Sequence, residues 1–414
     1  MRGSIIVLIL FFGINQDVSA QLLDRLGKRA ENKVKQRVER KIDKAVDRGL
    51  DKVEEEIDHA AKSEKTKSRQ PTVDNSNNTS AIISSNYDFI PGDELLFYDD
   101  FSSTRIGDFP TKWNTNGSGQ VVNIASQTGN WLLIPDNALS FPELKEPLPE
   151  NFTVEFDLFY PSNTTRPPIT FGFTEVANPA KQTIKGKKIF YFRIPPKGAG
   201  LENIGYSTSL YSGREITTEW PANQSAGKVI HVSIAMNGQR VRMYTDTKKL
   251  FDLPKGFDLN TYRNNFYFRS AELLPKPLDG FYIRDVRIAK VTKDLGISLI
   301  NEGKFITSGI HFDSGSDKIK PISYNLLNEI GKLLQNNPNS KFDIIGHTDS
   351  DGNAQANQKL SQQRAEAVHK YLTQNFNITT ANLTTLGKGA TSPIANNTTL
   401  EGKAQNRRVE FIKK

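Results

Sequence analysis

Short apolar runs separated by turn residues fill residues 93–293 and constrain the fold of this 414-residue chain more than any other feature. In Val229–Met236 and Arg240–Thr245 apolar and polar residues alternate, which is typical of half-buried strands. Asn237-Gly238 lies between these two runs and predicts a tight hairpin. Many short strands without intervening helices predict a β-sandwich. The other predicted strands are Glu94–Tyr98, Trp131–Ile134, Phe152–Tyr160, Ile169–Thr174, Ile189–Ile194, Phe266–Arg269 and Phe281–Val291.

Residues 300–414 show a different pattern, in which strand-like and helix-like runs alternate. Their order, βαβαββ, predicts a mixed sheet with two helices packed on it. The fold class predicted for the whole chain is therefore α+β and multidomain. The predicted elements are a strand at Gly309–Asp313, a helix at Ile322–Gln335, a strand at Lys341–Gly346, a helix at Ala354–Thr373, and strands at Leu383–Lys388 and Arg407–Lys413.

The first twenty residues have the features of a secretory signal. Arg2 precedes an apolar run, Ile5–Phe12, and Val18-Ser19-Ala20 suits cleavage before Gln21. The apolar run is much shorter than the ~20 residues needed to cross a bilayer. We therefore predict a signal peptide at residues 1–20, and a mature chain exported to the periplasm and associated with the outer membrane or the cell wall.

An amphipathic helix is predicted at residues 21–61. The ten steps from Leu23 to Ala60 cover 37 residues, a mean spacing of 3.7, which exceeds the 3.5 of a regular heptad coiled coil. Such a narrow apolar stripe would need a second copy, another envelope protein or a membrane surface to cover it. The following stretch is rich in Ser, Asn, Thr and Lys and predicts a flexible linker at residues 62–92.

Composition narrows the classes of partner. The chain has no cysteine, so exported domains would be held together by packing rather than by disulfides, and no lipid could be attached to an N-terminal cysteine. The formal net charge of +8 favours acidic partners such as cell-wall polymers or anionic lipids. Nucleic acid is not expected, because no aromatic-basic recognition motif accompanies the charge.

One set of residues in the last region carries a specific signal. These residues, in order and spacing, resemble the OmpA-like peptidoglycan-binding domain, and the resemblance covers about residues 300–414. They are Phe312-Asp313, Gly346-His347-Thr348-Asp349, Gly352, Asn357, Leu360-Ser361, Arg364-Ala365, Val368, Gly387-Lys388-Gly389, Pro393-Ile394-Ala395 and Asn406-Arg407-Arg408-Val409-Glu410.

The chemistry of Asp349 and Arg364 agrees with this resemblance. The stem peptide of many cell walls carries diaminopimelate, whose free end bears one ammonium and one carboxylate. A carboxylate in a loop after a strand can accept from the ammonium, and a guanidinium offers a planar fork to the carboxylate. Asn357 precedes Arg364 by seven residues, two helical turns, so both side chains are expected on one helix face.

The resemblance also implies ligand contacts from Thr348, Phe312-Asp313 and Arg407. Taken singly, such an aspartate is more often a turn former and such an arginine a surface residue; the whole spacing pattern favours ligand binding. On the last predicted strand, Arg407 and Arg408 would point to opposite faces. His347 is expected to be structural, because no partner ligands surround it in the sequence.

The β-rich segment resembles the concanavalin and laminin-G type of jelly roll, through Phe97-Tyr98-Asp99-Asp100-Phe101 and Lys248–Pro254. Hydrolases of that fold carry Glu-x-Asp-x-x-Glu, whereas Glu155 and Asp157 are followed by Tyr160 at the last position. One of the two catalytic carboxylates is then missing, so we predict that Glu155 is a surface residue and that the chain is not an enzyme.

Two alternatives stay open for this segment. Trp220 and Tyr211 could bind a glycan without catalysis, although core packing is the more common role of such aromatics. An outer-membrane β-barrel would need longer uninterrupted strands, which the proline pairs at 167–168 and 195–196 and the lysines near Lys187 disfavour.

The predicted function is non-catalytic. Residues 300–414 would bind peptidoglycan and tether the sandwich of residues 93–293 to the cell wall. We predict no cofactor and no metal ion. Further predicted partners are a second copy or an envelope protein at residues 21–61, and a glycan or protein ligand of the sandwich.

Overall fold

The structure is a computed structural model. It describes residues 87–414 apart from 136–138, 160–168, 177, 179–186, 195–202, 211–215, 220–226, 271–279 and 293. The predicted signal peptide, the amphipathic helix, residues 62–86 of the linker, Tyr160, Tyr211 and Trp220 lie outside the described residues.

Two antiparallel sheets make up the β-rich region. The first sheet has the order β13-β12-β11-β6-β15-β4-β3, with β1 paired to β15. Its strands are β1 (Glu94–Asp99), β3 (Gln120–Asn123), β4 (Asn130–Pro135), β6 (Asn151–Phe159), β11 (Ile230–Asn237), β12 (Arg240–Thr245), β13 (Lys248–Leu253) and β15 (Gly280–Lys290).

The second sheet has the order β10-β9-β8-β7-β14-β5-β2. Its strands are β2 (Trp113–Thr115), β5 (Leu139–Pro142), β7 (Ile169–Thr174), β8 (Ile189–Ile194), β9 (Asn203–Thr208), β10 (Ile216–Glu219) and β14 (Asn265–Ser270).

Aromatic side chains from both sheets share one core. Phe156 on β6 lies edge-on to Phe171 and Phe268 of the second sheet, with ring centroids 5.0 and 4.9 Å apart. All three are fully buried, and complete burial of such a side chain stabilises a fold by about 1.5–3 kcal/mol. The two sheets therefore form a β-sandwich.

The predicted strands of the sandwich are present, with ends within two residues of the prediction. The predicted hairpin is also present: β11 pairs with β12, and Gly238 at the turn has φ +55, a value that glycine adopts readily. The prediction lacks β2, β3, β5 and β10, whose three or four residues are too few to show periodicity, and it also lacks the six-residue strands β9 and β13.

The linker prediction extends too far toward the sandwich. Tyr87 and Phe89 are buried against Tyr244 on β12, with Tyr87 and Tyr244 edge-on at 5.4 Å. The Tyr87 hydroxyl donates to the carbonyl of Ile322 at 3.1 Å, and Asn325 donates to the carbonyl of Phe89 at 3.0 Å. Residues 87–92 therefore pack between the sandwich and the C-terminal domain. Burying their aromatic side chains is more favourable than exposing them to water.

The C-terminal domain is a four-stranded mixed sheet with the order β16-β19-β17-β18, in which β17 and β18 are parallel. Its strands are β16 (Lys304–Thr307), β17 (Phe342–Gly346), β18 (Leu383–Gly387) and β19 (Val409–Lys413). Its helices are α1 (Tyr324–Gln335), α2 (Ala354–Asn375) and α3 (Leu400–Asn406).

Two predictions for this domain are wrong. The first strand is Lys304–Thr307, and the predicted strand Gly309–Asp313 forms only a single bridge, between Phe312 and Ile319. The predicted order βαβαββ is the second error, because a third helix, α3, lies between the last two strands. Arg407 consequently ends this helix and does not belong to the last strand.

Close packing fixes α2 on the sheet. A Cβ atom at Gly346 would lie 2.2 Å from the backbone oxygen of Ser361, and one at Gly387 would lie 2.4 Å from the backbone nitrogen of Gln362. Glycine lets the helix approach this closely, and the approach brings the middle of α2 to the ends of β17 and β18. Among the described residues, no helix is both long enough and apolar enough to span a membrane.

Candidate functional site

Asp349 lies in the loop that joins β17 to α2. One carboxylate oxygen accepts the backbone N–H of Asp351 at 3.1 Å, and the other accepts from Nη1 of Arg407 at 2.7 Å. The side chain is only 12% exposed. A carboxylate has about four acceptor positions, so Asp349 can still accept from a ligand.

Asn357 and the start of α2 hold this loop in place. The Asn357 side chain donates to the carbonyls of Asp349 and Asp351 at 3.3 and 2.8 Å. Asn353 caps the helix and accepts from two backbone N–H groups of the first turn. Asn357 thus supports the loop, as the sequence predicted, by binding its backbone rather than by facing the carboxylate of Asp349.

Arg364 lies two turns further along α2. Its guanidinium lies over the ring of Phe312, 4.9 Å from the centroid, and its Nε donates to the carbonyl of Ser316 at 3.0 Å. No carboxylate of the described residues forms an ion pair with it. Burial lowers the pKa of Arg364, and the nearby Arg407 lowers it further. The structure thus brings an unpaired cation close to Asp349 without a direct bond between them.

Thr348 and Asp313 differ in their relation to the site. Thr348 is buried, its backbone N–H donates to the carbonyl of Gly389 at 3.0 Å, and its hydroxyl has no partner within the described part of the chain. Asp313 forms an exposed ion pair with Lys318 at 3.3 Å and does not line the pocket described below. Of the predicted pair Phe312-Asp313, only Phe312 reaches that pocket.

A pocket of about 150 Å³ lies beside Arg364 and Arg407. It has room for several water molecules or for one small charged group. Two of its lining residues, Tyr98 and Arg287, belong to the sandwich, and no local sequence signal marked them as site residues. Its lining includes Tyr98, Arg287, Ser308, Phe312, Arg364 and Arg407 but not Asp349, which is joined to the pocket through its bond to Arg407.

Three guanidinium groups line this pocket, and two of them are neutralised. Arg407 bonds to Asp349 at 2.7 Å, and Arg287 bonds to Glu155 at 2.7 Å. Arg364 alone lacks a carboxylate partner among the described residues. A partly buried guanidinium with free donors is a strong site for a carboxylate, since charge-assisted bonds are about twice as strong as neutral ones.

His347 does not act as a ligand or a base here. Its side chain is almost fully buried beside Arg408, and its Nε2 lies 3.3 Å from Glu410, which Arg408 already binds at 2.6 Å. Burial, together with Arg408, lowers the pKa of His347 to about 4. The imidazole is therefore neutral at pH 7, in line with the structural role that we predicted.

Glu155 is buried, so the prediction that it is a surface residue is wrong. It binds Arg287 at 2.7 Å and lies 3.6 Å from Nε2 of His311 in the C-terminal domain. Burial opposes its ionisation, but Arg287, His231 and His311 outweigh burial and hold the pKa of Glu155 well below its usual range. A permanently ionised, paired carboxylate is unsuited to general acid catalysis, which needs a raised pKa.

Comparisons with known proteins concern the C-terminal domain. The model of the OmpA family matches residues 311–407. Probable lipoprotein YiaD of Escherichia coli K12 is 39% identical over 140 residues, which cover 32% of this chain and 63% of that protein. Peptidoglycan-binding protein ArfA of Mycobacterium bovis is 37% identical over 108 residues, which cover 26% of this chain and 33% of that protein.

The chain thus spans less than two thirds of the length of both of these relatives. It spans more of Outer-membrane lipoprotein YfiB of Pseudomonas aeruginosa, which is 36% identical over 124 residues that cover 30% of this chain and 73% of that protein. Residues 311–407 include the loop of Asp349, the helix of Arg364 and the end of α3. The chain therefore belongs to the OmpA family.

Proposed function

We propose that this chain is a non-catalytic protein of the bacterial cell envelope that binds peptidoglycan through its C-terminal domain. Arg364 binds the carboxylate at the free end of diaminopimelate, and Asp349 accepts from the ammonium of the same end. The single observation that carries the proposal is the unpaired guanidinium of Arg364 beside a carboxylate that retains free acceptor positions. The relative ArfA is named a peptidoglycan-binding protein, which supports peptidoglycan as the ligand.

The two charges act together. A ligand with only a carboxylate would meet Arg364 but leave the free positions of Asp349 unused, and a ligand with only an ammonium would leave Arg364 unpaired. A zwitterionic end satisfies both groups at once. Because the domain joins directly to the sandwich, binding would also tether the sandwich to the cell wall.

The test is a pull-down of the full chain with purified peptidoglycan. Asp349→Ala and Arg364→Ala each leave one ligand charge unpaired, so each is expected to cost about 1.5–3 kcal/mol, or roughly ten- to more than a hundredfold in affinity. Arg364→Lys should also weaken binding, since an ammonium lacks the planar fork.

Asp252→Ala and Arg240→Ala are the matched controls. These residues form an ion pair on the sandwich at 2.7 Å, outside the pocket, and reproduce the same changes in net charge. They should sediment with peptidoglycan like the wild type. If Asp349→Ala and Arg364→Ala also sediment like the wild type at moderate salt, the proposed site is wrong and the basic surface accounts for wall binding.

A further inference from the structure

The pocket beside Arg364 is not built by the C-terminal domain alone. Tyr98 lies on β1 and Arg287 on β15, the strand that pairs with β1, and both line the pocket together with Arg364 and Arg407. The domain that belongs to the OmpA family thus provides one side of the pocket, and the sandwich provides the other.

Tyr98 contacts the site through Arg407. The Arg407 guanidinium lies over the Tyr98 ring, 5.5 Å from its centroid, and the same guanidinium binds Asp349 at 2.7 Å. The Tyr98 hydroxyl donates to Asp285 at 3.3 Å, which anchors the ring on the sandwich. A cation over an aromatic face is held by the ring quadrupole. The ring therefore fixes the orientation of Arg407 and, through it, the carboxylate of Asp349.

Arg287 ties the wall of the pocket to the sandwich. It is only 5% exposed, and its Nη2 donates to the carbonyl of Gly92 at 2.7 Å and to the hydroxyl of Ser308 at 3.2 Å. Ser308 itself lines the pocket, in the segment that follows β16. This segment is therefore positioned by a buried side chain of the sandwich.

A second contact joins the domains beside α3. Lys112 of the sandwich binds Glu401 at 2.6 Å, and both side chains are about one-third exposed. Arg407 ends the same short helix. Both ends of α3 therefore contact the sandwich, and the position of Arg407 depends on how the two domains pack.

From this geometry we propose that the sandwich completes the peptidoglycan site. The zwitterionic end of the peptide binds between the two domains, and Tyr98 is a positioning residue that orients Arg407 and Asp349 for the ligand ammonium. Arg287 and Ser308 line the pocket together with Arg364. This inference rests on the proposed function, and it adds a role for the sandwich in recognition of the ligand.

The pocket volume fits this role. A space of about 150 Å³ has room for a small charged end group. In this proposal the rest of the peptide leads out toward solvent, and the sandwich contributes to selectivity through Tyr98 and Arg287, which supply part of the lining.

The experiment measures binding of the full chain to two soluble tripeptides by calorimetry. One is Ala-γ-Glu-diaminopimelate, and the other carries lysine in place of diaminopimelate and so lacks the carboxylate at the free end of that side chain, although both keep the C-terminal α-carboxylate. Tyr98→Ala should weaken binding of the diaminopimelate peptide about three- to thirtyfold, the range expected for loss of a cation–π contact. Tyr98→Phe keeps the ring and should bind within about twofold of the wild type.

Further variants separate this role from a general structural one. Tyr98→Leu keeps apolar bulk without a π face and should weaken binding like the alanine variant. Tyr324→Ala is the matched control, because Tyr324 is exposed on α1, stacks on Tyr371 and does not line the pocket. Tyr98→Ala should weaken binding of both tripeptides by a similar factor, because both carry the ammonium that Asp349 accepts from, and Tyr324→Ala should leave both affinities unchanged.

Each result decides the inference. If Asp349→Ala and Arg364→Ala lose binding while Tyr98→Ala and Tyr98→Leu bind like the wild type, the sandwich has no role and the proposed function stands. If Tyr98→Ala binds more tightly, the sandwich covers the site instead of completing it. If Asp349→Ala and Arg364→Ala bind both tripeptides like the wild type, the proposed function fails and this inference fails with it.

Discussion

The pH dependence of stability tests the charge cluster that lies under the C-terminal domain. His231 on β11 binds Asp157 at 2.8 Å and lies 3.8 Å from Glu155. Arg284 and Arg287 bind these two carboxylates from β15, Asp246 accepts the backbone N–H of His231, and His311 faces Glu155 from the C-terminal domain. Burial lowers the pKa of His231, but the two carboxylates outweigh it and raise this pKa to about 9.

The raised pKa of His231 sets the size of its contribution to stability. The ordinary pKa of histidine is 6.5, and each pH unit between it and about 9 corresponds to about 1.36 kcal/mol, so the charged imidazole contributes about 3 kcal/mol to the free energy of unfolding. Because the folded state binds the proton more tightly, the whole contribution is present below pH 6.5. It falls as the pH rises and is lost above about pH 9.

The assay is urea unfolding of the wild type and of His231→Asn at several values between pH 6 and pH 9.5. Asparagine keeps a donor toward Asp157 but cannot take up a proton. The gap in free energy of unfolding between the two proteins should narrow by about 3 kcal/mol across this range. His369→Asn is the control, since His369 on α2 forms no ion pair among the described residues. If the free energy of unfolding changes with pH in parallel for the wild type and His231→Asn, the charged imidazole of His231 does not make this contribution to stability.

Two substitutions test packing. Phe156→Ala removes a fully buried ring that contacts Phe171 and Phe268, and it should lower the free energy of unfolding by about 3–5 kcal/mol in urea; a loss below 1 kcal/mol would contradict the shared core. Gly346→Ala places a Cβ 2.2 Å from a backbone oxygen of α2, and it should cost about 1–3 kcal/mol and weaken peptidoglycan binding. Wild-type stability and binding in Gly346→Ala would contradict the close packing of α2 on β17.

The strands of the sandwich could be predicted because period-two alternation and the turn at Asn237-Gly238 are local signals. Helix α3 could not be predicted from the sequence, because it has only seven residues and contains Gly402, a poor helix former. A Cβ at Gly402 would lie 1.9 Å from the oxygen of Asn396, so this glycine serves a close backbone approach. The segment Gly309–Asp313 has the alternation of a strand, yet it lines the pocket and forms no ladder.

The spacing of the motif predicts Asp349 and Arg364 as site residues, but it does not predict the partners that their side chains have in the folded chain. Asp349 and Arg407 are 58 residues apart, and their bond depends on how α3 ends beside the loop of Asp349. Glu155 lies on a strand face that alternation alone assigns to solvent. The C-terminal domain covers that face, and contacts between domains leave no periodic signal in the sequence. The roles of Tyr98 and Arg287 were missed for the same reason.

The distribution of charge supports the proposal that this site binds a zwitterion. A bare pair of Asp349 and Arg364 would bind each other and leave little for a ligand. Here Arg407 takes one oxygen of Asp349, while Phe312 and the carbonyl of Ser316 hold Arg364 in place without neutralising it. Arg364 keeps its charge for a carboxylate, and Asp349 keeps acceptor positions for an ammonium. The Tyr98 ring lies against Arg407, so our proposal predicts that this separation of charges depends on the sandwich as well as on the C-terminal domain.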